Sequence, residues 1–274
     1  MIDTLQNSLM ADGLISGTYR LREPMYCETK DGRMYVRFRL EDMSADVDAF
    51  SWNDKFMSSP LMRDLSSVYI EGRVRSRLTK QVVDIRHLMP ARVGGGEAVR
   101  LIPRSLCPHP WLLSYLAAAV GLLTIAPLQR FVHAVLGDDG IAFAFVNAPA
   151  SLHHHHNYPG GLLKHSLESF SIVEKHRSFP REKYELGLVA ALFHDLGKIL
   201  TMTSDMKRTT LGSSNEHEKL TLEILAPFFK QLEQTWADGA RELRYLLGWK
   251  VKRPVPHYNI ADLVACSDRL SAGL

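Results

Sequence analysis

Gly187-Leu-Val-Ala-Ala-Leu-Phe-His-Asp-Leu-Gly-Lys-Ile-Leu200 decides how the second half of the chain is read. Seven residues without a polar side chain precede His194, and Leu196, Ile199 and Leu200 follow it. Apolar character on every side predicts a buried helix, here over 182–200. A carboxylate at Asp195 inside such a helix costs several kcal/mol unless it is paired or bound to a metal. Asp195 therefore demands a partner.

Candidate partners lie on both sides. Upstream runs His153-His-His-His-Asn-Tyr-Pro-Gly-Gly-Leu-Leu-Lys-His165-Ser-Leu-Glu168, where Pro159-Gly160-Gly161 is a turn feeding a helix that carries His165. Downstream stand His217 and the pair Asp262 and Asp268. Eight of the twelve histidines fall between His153 and His217. Imidazoles and carboxylates from separate helices, without thiolates, suit a mixed N/O site for Mn²⁺, Mg²⁺, Fe or a similar ion. Each residue also has a plain reading: His165 as a polar helix residue, His217 as a surface residue, 153–156 as a solvated loop. Asp262 competes with Asp268 for one role and can instead cap the last helix. Asp268 is preferred, because it follows an apolar stretch that reaches the core.

From Pro110 onward the apolar spacing is helical, with helices expected at 110–124, 127–136, 160–176, 182–200, 215–236 and 238–248, and a last one from about 259. Residues 13–90 follow a different pattern. Val36, Phe38 and Leu40 alternate with Tyr35, Arg37 and Arg39 behind a hairpin turn at Asp31-Gly32. Further strands are expected near 17, near 47, over 68–77 and over 81–85. Five short strands in so few residues suggest a small Greek-key barrel of the OB type. Gly94-Gly95-Gly96 and Pro103 read as a linker. The chain thus divides into 1–92, an OB-like nucleic-acid-binding domain, a linker at 93–109, and a helical domain at 110–274.

The composition excludes a disordered, collagen-like or disulfide-scaffold chain: 46% of residues are hydrophobic and 23% charged. A balance of 33 basic against 30 acidic residues does not by itself imply nucleic-acid binding. Clustering matters more. Arg73, Arg75 and Arg77 share a strand face with Lys80 close by, Tyr35, Arg37 and Arg39 form a second row, and Trp52 adds a ring. Cations for phosphates and π-faces for bases are what a single-strand groove needs. The plain alternative is the solvated face of a half-buried sheet. Cys27, Cys107 and Cys266 are widely spaced, which points to reducing cytoplasm, and the N-terminus shows no signal-peptide pattern. The apolar stretch 111–126 has 16 residues, short of the roughly 17–25 of a spanning helix, so it is read as a core helix with no membrane partner.

His165, His194-Asp195 and Asp268, taken together, resemble the HD-domain metal-dependent phosphohydrolase superfamily. With the barrel stretch Lys30-Asp-Gly-Arg-Met-Tyr-Val-Arg-Phe-Arg-Leu40, the chain is most similar to the bacterial OB-fold/HD-domain 3′→5′ exoribonucleases (YhaM-type). The resemblance implies a small all-β barrel followed by an all-α HD domain. It implies His165, His194, Asp195 and Asp268 as ligands of a divalent metal, Mn²⁺ first, with Mg²⁺, Fe, Co or Ni as further candidates. His217 matches a histidine that helps hold a second metal or contacts phosphate, and Lys198 would meet the scissile phosphate. Asp195, Lys198 and His217 are accordingly the expected catalytic residues. Lys250, Lys252 and Arg253 are weaker candidates for offsetting charge. His154, His155 and His156 would line the substrate pocket. Dinuclear members carry further histidines before the last aspartate, where this chain has none until His257. The expected activity is a cytoplasmic phosphodiesterase degrading single-stranded RNA, or DNA, from the 3′ end, with a homo-oligomer as a candidate assembly. Alternatives are an HD nucleotide phosphohydrolase and a non-catalytic nucleic-acid-binding accessory protein related to mobile-element transfer HD proteins.

Overall fold

The computed structural model describes the chain apart from residues 1–3, 12, 78–79, 215–216, 253–258 and 274, and the side chains at 77, 95, 214 and 249–252 are also not described. The chain divides into two compact units, Met1–Ser105 and Leu106–Leu274.

The first unit is a closed barrel. A short helix α1 (Leu5–Met10) precedes β1 (Leu14–Glu28), β2 (Met34–Glu41), β3 (Asp46–Ser51), β4 (Ser67–Arg77) and β5 (Lys80–Pro90). The strands close in the order β1-β2-β3-β5-β4, with β3 and β5 parallel and the other pairs antiparallel. Strand β1 serves two partners: Leu14–Arg20 pairs with β4, and Arg20–Glu28 pairs with β2 across a bulge between Arg22 and Met25. Val36, Phe38 and Leu40 point inward with Leu21, Val68, Ile70 and Val83, all fully or almost fully buried. Each such side chain gains about 1.5–3 kcal/mol on leaving water.

The expected linker at 93–109 is not free chain. Residues 98–103 are buried, because buried charges of the barrel use them as partners. Arg100 donates to Thr18 O at 2.9 Å and lies 3.7 Å from Asp42, which is fully buried. Arg20 donates to Leu101 O at 3.0 Å, and Glu41 accepts from Ser105 N at 2.6 Å. The glycines suggested slack, but the apolar and charged residues behind them supply the anchorage.

The second unit is helical: α2 (Trp111–Gly121), α3 (Ala126–Leu136), α4 (Asp139–Asn147), α5 (Gly161–Glu174), α6 (Arg181–Phe193), α7 (Lys198–Thr201), α8 (Thr210–Ser214), α9 (His217–Thr235), α10 (Ala237–Lys252) and α11 (Asn259–Gly273). Helix α5 packs against α6 and α11, and α9 against α10 and α3. The apolar stretch from Trp111 forms an 11-residue helix with Leu113 and Leu116 fully buried. Among the described residues no helix is long and apolar enough to cross a membrane. Helix α4 was not anticipated, although Asp138 caps it by accepting from Ile141 N at 3.1 Å.

One helix boundary is corrected. The helix expected over 182–200 ends at Phe193, and His194 and Asp195 occupy the turn before α7. Gly197 explains the break. A Cβ there would lie 1.9 Å from His217 O, so the chain crosses α9 at a distance only glycine allows. Gly197 N donates to Thr221 Oγ1 at 2.7 Å, which fixes the turn. Helix α6 is buried on all sides from Glu185 onward, its first turn being exposed or half-buried, and its one buried carboxylate, Glu185, is satisfied by Thr124 N and Ile125 N, each at 2.9 Å, and by Arg181.

Candidate metal centre

Three elements bring His165, His194, Asp195 and Asp268 together: α5, the turn after α6, and α11. One donor atom from each lies within 4.8 Å of the others. His165 is fully buried, His194 and Asp195 nearly so, and Asp268 is half-buried. Asp262, the competing choice, is exposed in the first turn of α11.

Hydrogen bonds behind the rings fix which nitrogens face inward. His194 Nδ1 lies 2.9 Å from Ala191 O; a carbonyl only accepts, so Nδ1 carries the hydrogen and Nε2 presents its lone pair. His165 Nδ1 lies 2.9 Å from Ser271 Oγ, which itself donates to Glu168 Oε2 at 2.8 Å. The serine hydrogen is thereby committed, so His165 Nδ1 donates and its Nε2 also faces inward. The two Nε2 atoms stand 3.1 Å apart. Asp195 Oδ2 is 3.3 Å and Asp268 Oδ1 3.2 Å from His165 Nε2, and each is 3.4 Å from His194 Nε2.

Four electron-rich atoms converging without a hydrogen among them require a cation. In the metal-free chain a proton meets that need. Burial disfavours the His194 imidazolium, but the charge of Asp195, with help from Asp268, overrides it and raises the His194 pKa to about 9. Burial likewise acts to raise Asp195 and Asp268. The charges of His194 and Lys198 on Asp195, and the close approach of the His165 and His194 rings to Asp268, hold both far below the carboxylate range. Two imidazoles and two carboxylates are also the donor set of a mixed N/O divalent-metal site, and the four residues fit such an ion.

Asp195 divides its oxygens. Oδ2 serves the centre and meets Lys198 Nζ at 2.6 Å, whereas Oδ1 meets His217 Nε2 at 3.1 Å. Lys198 and His217 also line a cavity of about 370 Å³ together with His154, His155, Thr201 and Arg208. His156 does not line that cavity, contrary to expectation. Its side chain is only 6% exposed and lies 2.9 Å from Glu168 Oε2, because Gly161 lets the loop carbonyl of His156 approach so closely that a Cβ would sit 2.1 Å from it. Burial pushes His155 and His156 below the usual histidine range. Sequence reasoning passed over Glu168, Ser271 and Arg208. The first two were legible, since each lies three residues, one helical turn, beyond His165 or Asp268. Arg208 carried no signal, because a loop folds it back through a bridge to Met202.

On the barrel, three of the arginines expected to hold nucleic acid are paired with carboxylates. Arg37 meets Asp48 at 3.3 Å, Arg75 meets Asp84 at 2.5 Å, and Arg39 meets Asp46. Cross-strand register makes these carboxylates diagonal neighbours of the arginines, two residues from the direct partners Phe50, Asp48 and Val82 of Arg37, Arg39 and Arg75, a feature that runs of single strands do not disclose. Arg73 is exposed on the same face as Arg75. The side chains of Arg77, Lys250 and Lys252, and all of Arg253 and His257, lie outside the described residues. Tyr35 and Trp52 pack with their rings tilted by 40° and ring centres 4.9 Å apart, and the Arg33 guanidinium sits 4.5 Å over the Trp52 ring.

Comparison with known proteins places a family model on the helical unit: residues 162–273 match the HD domain. A 3′-5′ exoribonuclease YhaM of Listeria monocytogenes is 22% identical over 209 residues, 74% of this chain and 65% of that relative. The YhaM of Bacillus velezensis is 20% identical over 255 residues, 88% of this chain and 79% of the relative. The chain therefore spans less than two-thirds of the Listeria protein it matches. Among solved structures, a replication protein A heterotrimer bound to ssDNA aligns at 18% identity with a TM-score of 0.24, covering 29% of this chain and 57% of that one. The mitochondrial single-stranded DNA binding protein Rim1 of S. cerevisiae aligns at 11% identity with a TM-score of 0.25, covering 28% of this chain and 92% of that one. Residues 162–273 are thus similar to the HD domain, and they follow in sequence a five-stranded OB-like barrel.

Proposed function

We propose that this chain is a metal-dependent phosphodiesterase that removes nucleotides from the 3′ end of single-stranded RNA or DNA. The observation that carries the proposal is the convergence of His165, His194, Asp195 and Asp268 beside a cavity that shares Lys198 and His217 with them. Those four residues would hold the cation, with Mn²⁺ the first candidate and Mg²⁺, Fe, Co or Ni the others that a mixed N/O donor set accepts. When bound, it supplies Lewis-acid activation of water and neutralises charge on a phosphoryl oxygen.

The chain's own groups complete the site. His217 donates to Asp195 Oδ1 and so holds Oδ2 toward the two imidazoles. Lys198 sits between Asp195 and the cavity, where its charge offsets that of the phosphorane-like transition state. Arg208, on the cavity wall, adds a cation for a neighbouring phosphate. On the barrel, Tyr35 and Trp52 offer rings on which bases stack. The YhaM relatives, named as 3′-5′ exoribonucleases, support the direction and the RNA substrate.

End-labelled oligonucleotides test the reading. With Mn²⁺, 5′-labelled single-stranded RNA should yield a ladder, 3′-labelled RNA should release its label as a mononucleotide from the outset, and His194→Ala and Asp195→Ala should abolish both. Binding without turnover under every metal named, or turnover of mononucleotides but not oligomers, would contradict it.

A further inference from the structure

The histidine tract holds more than a cavity wall. One ring nitrogen each of His155, His156 and His165 lies within 4.8 Å of the others, a second donor cluster beside the first. The three ring centres are 5.1, 5.6 and 5.7 Å apart. Three imidazoles on one tetrahedral zinc, at about 2.0–2.1 Å per Zn–N bond, have ring centres roughly 5 Å apart. His155 Nε2 and His156 Nδ1 are buried without a hydrogen-bond partner in the structure. A buried polar atom of this kind is costly unless something binds it. Glu168 takes up the other nitrogen of His156, at 2.9 Å, and so leaves Nδ1 as the available donor. The loop holds His156 at φ 50, a left-handed conformation, with its carbonyl accepting from Ala150 N at 3.2 Å.

We propose that His155, His156 and His165 form an all-imidazole Zn²⁺ site that competes with the His165–His194–Asp195–Asp268 centre for His165. The donor chemistry of the two sets differs: three imidazoles favour zinc, whereas the carboxylate-containing set also suits Mn²⁺ and Mg²⁺. His165 cannot serve both sets. Its Nδ1 is committed to Ser271, so Nε2 is its one available ligand atom. Zinc held by the tract therefore leaves three donors at the mixed centre and loosens the cation there. This competition deepens the metal-dependent reading of the same site and rests on it, while the zinc cluster stands on its own residues.

The test follows metal binding on the full chain stripped of metal. Free Mn²⁺ is read by electron paramagnetic resonance while Zn²⁺ is titrated against a chromogenic chelator. In the wild type, zinc should fill one tight site and expel bound Mn²⁺. In His155→Ala/His156→Ala, and to a lesser degree in His155→Ala alone, zinc affinity should fall by about 10–100-fold, while Mn²⁺ affinity is retained. His153→Ala, on an exposed neighbour, should bind both as the wild type does. Circular dichroism checks that each variant is folded, and the single variant decides if the double one is not. Unchanged zinc affinity in a folded variant, equal weakening in His153→Ala, or simultaneous retention of Mn²⁺ and Zn²⁺ would overturn the proposal. Failure of the wild type to bind Mn²⁺ would overturn the competition but not the phosphodiesterase reading, which the other metals still test; the zinc comparison alone still shows whether the tract binds zinc.

Discussion

His165 Nε2 and His194 Nε2 face each other at 3.1 Å, each with its lone pair turned toward the other. Neither orientation is accidental, since Ser271 holds one ring from behind and Ala191 O the other. Two neutral imidazoles repel in this arrangement, so the pair is stable only around a proton or a metal.

The support behind His165 should therefore be measurable. Ser271→Ala or Glu168→Gln removes the chain that sets the His165 tautomer without touching the donor atoms themselves. Metal affinity should fall by about 10–100-fold, with little loss of helix content. Isothermal titration with Mn²⁺ checks this, and unchanged affinity in both variants would show that the ring needs no such support.

The proton on His194 gives the metal-free protein a pH signature. A histidine raised from 6.5 to about 9 contributes stability that is complete below about 6.5 and is lost as pH rises through about 9. Asp195 and Asp268, whose pKa values are depressed, contribute stability present above the usual aspartate value of about 3.9 and lost on acidification below it. Thermal melts in chelator should show stability declining between pH 6.5 and 9. Mn²⁺ should bind more tightly over the same window, because it displaces that proton. A flat melting profile there would contradict the assignment.

Glu185 ties the segment between α2 and α3 to the buried helix α6 through its bonds to Thr124 and Ile125. Glu185→Ala strands two backbone N–H groups, and a loss of about 2–4 kcal/mol is expected in urea unfolding of the full chain. A change below about 0.5 kcal/mol would mean that water replaces the carboxylate.

On the barrel, the ion pairs predict a division of labour. Trp52→Ala or Tyr35→Ala should weaken single-strand binding by about 1–3 kcal/mol with the salt dependence unchanged. Neutralising Arg37, Arg39 and Arg75 together should flatten the slope of log affinity against log salt by less than three phosphate contacts would, because Asp48, Asp46 and Asp84 already pair with them. Fluorescence titrations at several salt concentrations separate the two effects.

Much of this was legible from residue patterns. Alternation at Val36, Phe38 and Leu40 and the all-apolar run before His194 each state a burial requirement, and burial is what a single chain encodes locally. His194 and Asp195 were legible for the same reason, as polar groups that an apolar setting cannot leave unpaired, whereas the full set with His165 and Asp268 rested on the resemblance to HD domains. What stayed hidden depends on a second element. The break after Phe193 is set by α9 crossing at Gly197, the turning of His156 away from the cavity by Glu168, and the neutralised arginines by strand register. The stretch 98–103 misled because its glycine neighbours outweighed its own apolar residues.

The central claim is that His165, His194, Asp195 and Asp268 hold a cation. Equilibrium Mn²⁺ binding to the wild type and to Asp268→Ala tests it most directly, because Asp268 lies at the surface side of the cluster and its loss leaves the buried helix intact. The account predicts tight binding to the wild type and a weakening of about 10-fold or more in the variant. Equal affinity in both proteins would contradict it.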